Sequence, residues 1–350
     1  MLFALQIAAA VLGTLVLLVT AAFVAGRWFF LDSTPDEVHY TTTEDGWRIA
    51  ILRHRAKEPK GLPVLLCHGV AANHLNLDLT PERSLARALA AAGHDTWLVE
   101  LRGRGFSHQP RLFNRYRYDW SFDEYVEKDA PAAIACVLAA TGAEKLHWVG
   151  FAIGGMIGYA LAADPKQAPR LASVVAMAAP ATFGFQRKYL YAWPLRNLRW
   201  LKHRFLMRLI APLAGYWRPK LLSSPENLQG SAIRRFLVNA AANFASNEML
   251  QYGDWLEGDH FRSIDHRRDY RAELPKIELP ILLLAGNKDL LAPPPAVKDA
   301  YDAIGSKEKQ LTIVSRGNGF VSNYGHLDLV LGDSAAKDVY PLVVKWLAER

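Results

Sequence analysis

The octapeptide VGFAIGGM occupies residues 149–156 and places Gly150 and Gly154 on either side of Ala152. An apolar, strand-like run leads into it, and an apolar segment with helical spacing follows it. Glycines in these positions allow a sharp, strained turn from strand to helix, which pushes the middle residue into a cleft at the helix N-terminus. We call this turn the elbow. The backbone N–H of the residue that follows its middle residue can donate a hydrogen bond to an oxyanion. The elbow therefore predicts a site with Ala152 at its tip and the Ile153 amide as a donor.

Strand-like and helical segments alternate on both sides of the elbow, with short connections between them. The strand-like runs are residues 62–69, 95–101, 146–150, 171–180, 281–289 and 309–315. This alternation predicts an α/β fold built from right-handed βαβ units. We expect a mostly parallel sheet with helices on both faces.

Capping signals predict where individual helices begin and end. Thr80, with Pro81 directly after it, predicts the start of one helix. The sequence SFDE at residues 121–124 is a capping box, and it predicts the start of another helix that ends at Gly142.

The alternation stops near residue 181 and resumes with the strand-like run that begins at residue 281. We therefore predict an α/β core over residues 38–180 and 275–350 and a helical insertion over residues 181–274. A transmembrane anchor is predicted over residues 1–30 from the composition described below. Ligands of such sheets bind outside the carboxyl ends of the strands. Because the insertion lies between strands at that edge, it is expected to form a cap over the site.

Three further groups follow predicted strands and are candidates for the chemistry. Val70, in the sequence HGVA, is the candidate second oxyanion donor. Asp289 follows the run ILLLAG, and His326 lies in YGHLDLVLG beyond the last strand. A carboxylate there would orient the imidazole and stabilise its charged form near Ala152. Alone, such an aspartate is commonly a turn former and such a histidine a surface residue, but their order along the chain favours a site.

With these pieces in this order, the chain resembles the α/β-hydrolase superfamily, and within it the acid-lipase-like and related esterase members. The matching stretches are LLCHGVAANHLNLDL, ELRGRGFS, YDWSFDEYVEKDAPAAI, HWVGFAIGGM, LLLAGNKDLLAPP and YGHLDLVLG. The resemblance covers about residues 38–350, with a poor match in the insertion. It implies Asp289 as the acid, His326 as the base, Val70 and Ile153 as oxyanion donors, a lipid or acyl-ester substrate, and no cofactor.

The chain departs from this family at the reactive position. Relatives commonly have G-H-S-x-G-G at the elbow, where this chain has Phe151 and Ala152. Alanine cannot form an acyl-enzyme, and loss of such a nucleophile typically lowers kcat on the order of 10⁶-fold. Cys67 and Ser107 are poorly placed to replace it. Three interpretations remain: an ester hydrolase inactivated by a Ser→Ala substitution, a natural pseudo-hydrolase that binds an acyl ligand, and an enzyme whose His–Asp pair acts without a covalent step, as a cofactor-independent lyase could.

The N-terminus has the composition of a membrane segment. Residues 1–26 carry no charged side chain, and Arg27 and Trp28 follow as an interface belt would. We predict an uncleaved, single-pass anchor. A cleavable signal peptide is the alternative, but the stretch lacks a positive n-region and is longer than usual. The absence of Lys or Arg before the segment favours a cytoplasmic soluble domain.

The basic balance of the chain predicts an anionic partner. The formal net charge is +7, and no nucleic-acid-binding signature is present, so a lipid headgroup is favoured over nucleic acid. Residues 187–220 contain no Asp or Glu and interleave basic with aromatic residues. The run NLRWLKHRFLMRLIAPL within them puts several apolar residues near one helical face: Leu198, Leu201, Phe205, Leu206 and Leu209. This pattern predicts contact with a lipid surface, with a cap helix packed on the core as the alternative.

No metal site or disulfide is predicted. His260 and His266 lie in a charged run without a metal-ligand spacing. Cys67 and Cys136 are expected to be buried, unpaired thiols.

Overall fold

The computed structural model describes residues 2–32, 34–111, 113–197, 203–214 and 220–350. The strands are β1 (Glu37–Thr42), β2 (Arg48–His54), β3 (Val64–Cys67), β4 (Asp78–Thr80), β5 (Arg83–Ser84), β6 (Thr96–Glu100), β7 (Leu146–Phe151), β8 (Leu171–Met177), β9 (Ile281–Gly286) and β10 (Lys309–Val314). Eight of these strands form one sheet in the order β1-β2-β6-β3-β7-β8-β9-β10, and β4 pairs with β5 separately.

The central sheet is mostly parallel. Only the β1–β2 and β2–β6 pairs are antiparallel, so β2 alone runs against the other strands. Every residue of β3, β7 and β9 is buried, which requires cover on both faces and explains their continuous apolar runs. The predicted α/β fold with a mostly parallel sheet is confirmed.

Helices cover the sheet and fill the connections between strands. They are α1 (Leu2–Arg27), α2 (Leu85–Ala91), α3 (Phe122–Glu124), α4 (Ala130–Thr141), α5 (Ile153–Ala163), α6 (Ala192–Asn197), α7 (His203–Ala214), α8 (Gly230–Asn239), α9 (Ser246–Gly258), α10 (Tyr270–Glu273), α11 (Pro294–Ala303), α12 (Asp328–Leu331), α13 (Ala335–Asp338) and α14 (Tyr340–Ala348). Helix α5 packs on β7 and β8, and α11 packs on β9 and β10.

The capping box at residues 121–124 is present as predicted. The Ser121 hydroxyl accepts a hydrogen bond from the Asp123 N–H, and a carboxylate oxygen of Glu124 accepts one from the Ser121 N–H at 2.8 Å. The chain passes from α3 through one π-helical turn into α4. That helix ends at Gly142, whose φ of 70° suits glycine.

The helix predicted to begin after Thr80 begins later. Its N-cap is Ser84, whose hydroxyl accepts a hydrogen bond from the Arg87 N–H at 2.9 Å. Thr80 instead pairs with Arg83 in the short β4–β5 ladder. This prediction was wrong because the buried Asp78 carboxylate accepts hydrogen bonds from distant side chains and holds the segment extended.

Helices α6 to α10 lie between β8 and β9 in the chain, where the helical insertion was predicted. As a division into domains, the boundaries 38–180, 181–274 and 275–350 stay a prediction. For brevity, the segment from residue 181 to residue 274 is called the cap.

The N-terminal helix α1 packs against α7 of the cap. The ring centroids of Phe23 and Phe205 are 6.2 Å apart, and Asn239 Nδ2 donates a hydrogen bond to the Phe29 carbonyl at 2.8 Å. No helix in the described part of the chain is both long enough and apolar enough to span a membrane. That finding does not support the transmembrane segment predicted for residues 1–30.

Candidate active site

The elbow lies between β7 and α5. Ala152 has a φ of 50° and a ψ of −114°, a conformation that is strained for any residue with a side chain. A Cβ on Gly150 would lie 2.1 Å from the Gly154 carbonyl oxygen, and one on Gly154 would lie 2.3 Å from the Cys67 carbonyl oxygen. Both glycines are therefore required by sterics, and Ala152 occupies the tip of a tight turn.

The strain at Ala152 predicts that glycine is tolerated there unusually well. A residue in such a conformation costs on the order of 1–3 kcal/mol, which glycine avoids. We expect Ala152→Gly to retain a free energy of unfolding at least about 1 kcal/mol higher than that of Ala160→Gly, a buried position within α5. Urea denaturation of both variants measures the difference, and equal losses would show that the elbow is not strained.

Two residues that line the cavity with Ala152 have backbone amides without a hydrogen-bond acceptor in the part of the chain that the structure describes. Among the described residues, neither the Val70 N–H nor the Ile153 N–H donates a hydrogen bond. Both residues line one cavity together with Ala152. Their donation to an oxyanion stays a prediction, but the geometry leaves both amides available for it.

His68 fixes the loop that carries Val70. Its Nδ1 donates to the Gly69 carbonyl at 2.8 Å, and its Nε2 accepts from the Leu101 N–H at 3.3 Å. Burial is the main cause that lowers the pKa of His68 to about 4. The ring is therefore neutral at pH 7, and it serves to hold the loop.

The predicted carboxylate and histidine lie against each other. His326 Nδ1 donates to Asp289 Oδ2 at 2.8 Å, and both side chains are buried. Asp289 Oδ1 accepts from the Leu291 and Ala292 N–H groups, each at 2.8 Å. These contacts hold the proton of the neutral ring on Nδ1, so His326 Nε2 can accept a proton.

A mostly apolar cavity of about 140 Å³ lies over the elbow. Its wall is formed by Val70, Ala152, Ile153, Met156, Ala178, Pro180, Phe183, Gln186, Leu190, Tyr252, Trp255, Leu256, Leu291 and His326. The structure thus brings four of the predicted site residues to one space. Asp289 supports His326 from behind, while Gly150 and Gly154 shape the turn.

The cap residues of this cavity were missed by the sequence analysis. Tyr252 and Trp255 come from α9, which is fastened to the core by a buried ion pair. Arg104 Nη2 donates to Glu248 Oε2 at 2.9 Å, and the Tyr252 hydroxyl donates to the other Glu248 oxygen at 3.3 Å. Because removal of either charge would leave the other unpaired in a low-dielectric interior, this pair fixes the cap over the cavity. Arg104 lies in ELRGRGFS, one of the stretches that match the α/β-hydrolase pattern, and this match was the only indication in the sequence that Arg104 has a role.

Asp328 is a second group that the sequence analysis missed. Its carboxylate accepts the Ser224 N–H and the Gly325 N–H, each at 2.7 Å, and so ties the cap to the loop of His326. Burial is the main cause that raises the pKa of Asp328 to about 7. Its spacing of two residues from His326 was the only sequence signal.

The described ranges contain no group of three or more His, Cys, Asp or Glu side chains placed to hold a metal ion. His266 Nε2 lies 3.9 Å from Asp254 Oδ2. Cys67 and Cys136 are free thiols.

Known proteins resemble this chain in sequence and in fold. The family described as alpha/beta hydrolase fold matches residues 63–326. Gastric triacylglycerol lipase of Bos taurus is 25% identical over an alignment of 362 positions, gaps included. The alignment covers 90% of this chain and 88% of that protein. Triacylglycerol lipase 2 of Arabidopsis thaliana is 26% identical over an alignment of 349 positions, which covers 87% of this chain and 82% of that protein. A thermophilic esterase from Thermogutta terrifontis superposes with a TM-score of 0.59 at 19% identity, covering 89% of this chain and 98% of that one.

Proposed function

This chain belongs to the α/β-hydrolase fold family, and from that premise we propose that it binds an acyl ester without forming an acyl-enzyme. One observation carries the proposal: a hydroxyl-free side chain, Ala152, lies at the tip of an elbow that shares a cavity with His326. The Asp289–His326 hydrogen bond, two amides without acceptors and the strained turn all belong to the same site. Without a nucleophile at residue 152, the serine reaction cannot begin.

Neither Cys67 nor Ser107 is placed to act as a substitute nucleophile. Cys67 is fully buried, and burial raises the pKa of its thiol well above the usual value. The Ser107 hydroxyl donates to the Glu100 carbonyl at 2.6 Å and accepts from the Ala50 N–H at 2.8 Å. Neither residue lines the cavity. A covalent route through another residue is therefore not proposed.

The ligand class follows from the cavity and from the relatives. The wall is mostly apolar and suits the hydrocarbon part of an ester. Two relatives that cover most of this chain are named triacylglycerol lipases. We therefore propose a lipid or other acyl ester as the ligand.

A second candidate function is a His–Asp enzyme that needs no covalent step and no cofactor. It is favoured by His326 Nε2, which makes no hydrogen bond within the described residues although Nδ1 is held by Asp289. Such a ring can activate water or abstract a substrate proton. Assays of the unmodified chain beside Ala152→Ser on p-nitrophenyl butyrate separate the candidates. Activity in the serine form alone supports the binding protein, and activity in both forms supports the enzyme.

The partner and location proposed for the chain are a lipid surface, contacted by α1 and α7. Phe205 and Leu213 of α7 are 50% and 67% exposed. Arg208 lies half-buried, its Nε donates to the Val238 carbonyl at 3.0 Å, and burial lowers its pKa. The helix thus buries Ala211 and Ala214 while part of its apolar surface, at Phe205 and Leu213, stays exposed. The net charge of +7 suits anionic headgroups.

Further apolar side chains of the N-terminal segment extend this surface. Large exposed residues there are Leu12, Val16, Leu17, Phe23, Val24, Trp28 and Phe30. Residues 198–202 and 215–219 of the basic segment, including Leu198 and Leu201, lie outside the described residues.

The lipid contact predicts a specific loss of vesicle binding. Replacing Phe205 and Leu213 together by serine is expected to weaken binding of the full chain to phosphatidylglycerol–phosphatidylcholine vesicles at least ten-fold, since full burial of each side chain is worth about 1.5–3 kcal/mol. Phe113→Ser is the matched control, because Phe113 is 97% exposed but belongs to neither helix. Co-sedimentation measures the binding, and equal binding of the double variant and the parent would contradict the proposal.

A further inference from the structure

One polar group in the cavity wall is not used by the proposed chemistry. Gln186 is 1% exposed and lines the cavity. Its Nε2 donates to the Thr182 carbonyl at 3.1 Å and to the Leu291 carbonyl at 2.9 Å. The side chain is thus anchored at once to the start of the cap and to the loop that supports Asp289.

The orientation of this amide is fixed by its partners. Both partners are carbonyl oxygens, which only accept hydrogen bonds, so the nitrogen must face them and the oxygen must face elsewhere. Gln186 Oε1 accepts no hydrogen bond from any described residue. A buried acceptor without a donor is unfavourable and is normally satisfied by a ligand or a water molecule.

The other polar side chains of the cavity wall are already engaged. His326 Nδ1 donates to Asp289, and the Tyr252 hydroxyl donates to Glu248. Trp255 Nε1 donates to the Arg262 carbonyl at 2.8 Å. Apart from His326 Nε2, which belongs to the proposed His–Asp chemistry, Gln186 Oε1 is therefore the side-chain acceptor of the wall that no described residue satisfies and that is left for a donor on the ligand.

The cavity is partly open, so its volume indicates how much of a ligand it encloses. Its volume of about 140 Å³ is close to the roughly 150 Å³ of an apolar protein cavity that holds one benzene molecule. An acyl group of about six non-hydrogen atoms fills such a space. A long acyl chain would have to extend out of it.

We propose that the cavity binds the acyl part of an ester that carries a hydroxyl group, and that this hydroxyl donates a hydrogen bond to Gln186 Oε1. The inference rests on the proposed function, since it names the ligand of the same site. A hydroxyl satisfies the acceptor, whereas a methyl group in the same place leaves it buried without a donor.

Pairs of esters that differ by hydroxyl against methyl test this inference. Suitable pairs are methyl 3-hydroxybutyrate with methyl 3-methylbutanoate, and methyl 2-hydroxybutyrate with methyl 2-methylbutanoate. We expect the unmodified chain to bind at least one hydroxy ester about ten-fold more tightly than its partner, as measured by isothermal titration calorimetry. Gln186→Met keeps the length of the side chain and removes the acceptor, so it should bring the ratio close to one.

Thr182→Val is the matched control. The Thr182 hydroxyl is also buried without a partner among the described residues, but Thr182 does not line the cavity, and its carbonyl still anchors Gln186. The preference should survive in this variant.

Each outcome bears on one proposal. Equal binding within both ester pairs overturns the inference and leaves the proposed function standing. A preference that persists in Gln186→Met overturns the role of Gln186. If no ester of either kind binds, the proposed function fails as well. The ratio in the unmodified chain remains decisive even if Gln186→Met does not fold.

Discussion

Replacing Ala152 with serine is expected to raise kcat/KM for p-nitrophenyl butyrate at least about 10³-fold over the unmodified chain. The new Oγ would lie at the tip of the elbow, in the cavity that His326, Val70 and Ile153 also line. Loss of a serine nucleophile lowers kcat on the order of 10⁶-fold in a fully adapted enzyme. We expect a smaller gain because Phe151 also departs from the pattern common among relatives. Initial rates with purified protein measure the effect.

Ala178→Ser is the matched control for this gain. Ala178 lines the same cavity and has the same φ of 50°, but it lies after β8 and not at the elbow. A serine there should give no hydrolysis above that of the parent. Equal rates in the unmodified chain and in Ala152→Ser would contradict the expected gain and favour the second candidate function.

In the serine form, Asp289→Asn is expected to lower kcat by about 10⁴-fold, the scale seen when the aspartate of a serine triad becomes an amide. The Leu291 and Ala292 N–H groups both donate to Asp289 Oδ1, so the oxygen of an asparagine must remain there. Its NH₂ group then faces His326 Nδ1 and donates to it. The ring proton is forced onto Nε2, and this nitrogen can then no longer accept the proton of the serine hydroxyl.

A structural loss of the fold would lower the rate for another reason, so two further measurements accompany this assay. Thermal unfolding should show that the asparagine variant remains folded. Asp299→Asn, which removes the negative charge of a partly exposed partner of Arg271, should retain the activity of the serine form. An asparagine variant that is folded and fully active would show that Asp289 does not orient His326.

The sequence predicted the features that depend on short patterns. The elbow is encoded by Gly150 and Gly154, because a side chain at either position would collide with backbone atoms. The capping box at Ser121 is equally local. Asp289 and His326 were found because each follows a strand-like run, and parallel strands bring their carboxyl ends to one edge. The distance of 2.8 Å between them is a property of the folded chain.

Features that depend on distant contacts could not be predicted in this way. The pattern at Thr80 fits a helix cap, but pairing with Arg83 holds this segment in a ladder. Gln186 carries no local motif, and its orientation depends on a contact with the Leu291 carbonyl, which is 105 residues away in the sequence. Likewise, the amphipathic pattern around Phe205 fits a buried or an exposed apolar face, and only packing against neighbouring helices distinguishes them.

Covalent labelling of Ala152→Ser shows whether residue 152 lies where a serine is activated by His326. A fluorophosphonate reacts with a serine that is activated by a neighbouring base, and mass spectrometry of the digested protein identifies the labelled residue. We expect one phosphonyl group on residue 152, strongly reduced in the additional Asp289→Asn variant and absent from the unmodified chain. An unlabelled residue 152 in a folded serine variant, or a label on another residue such as Ser107, would contradict this expectation.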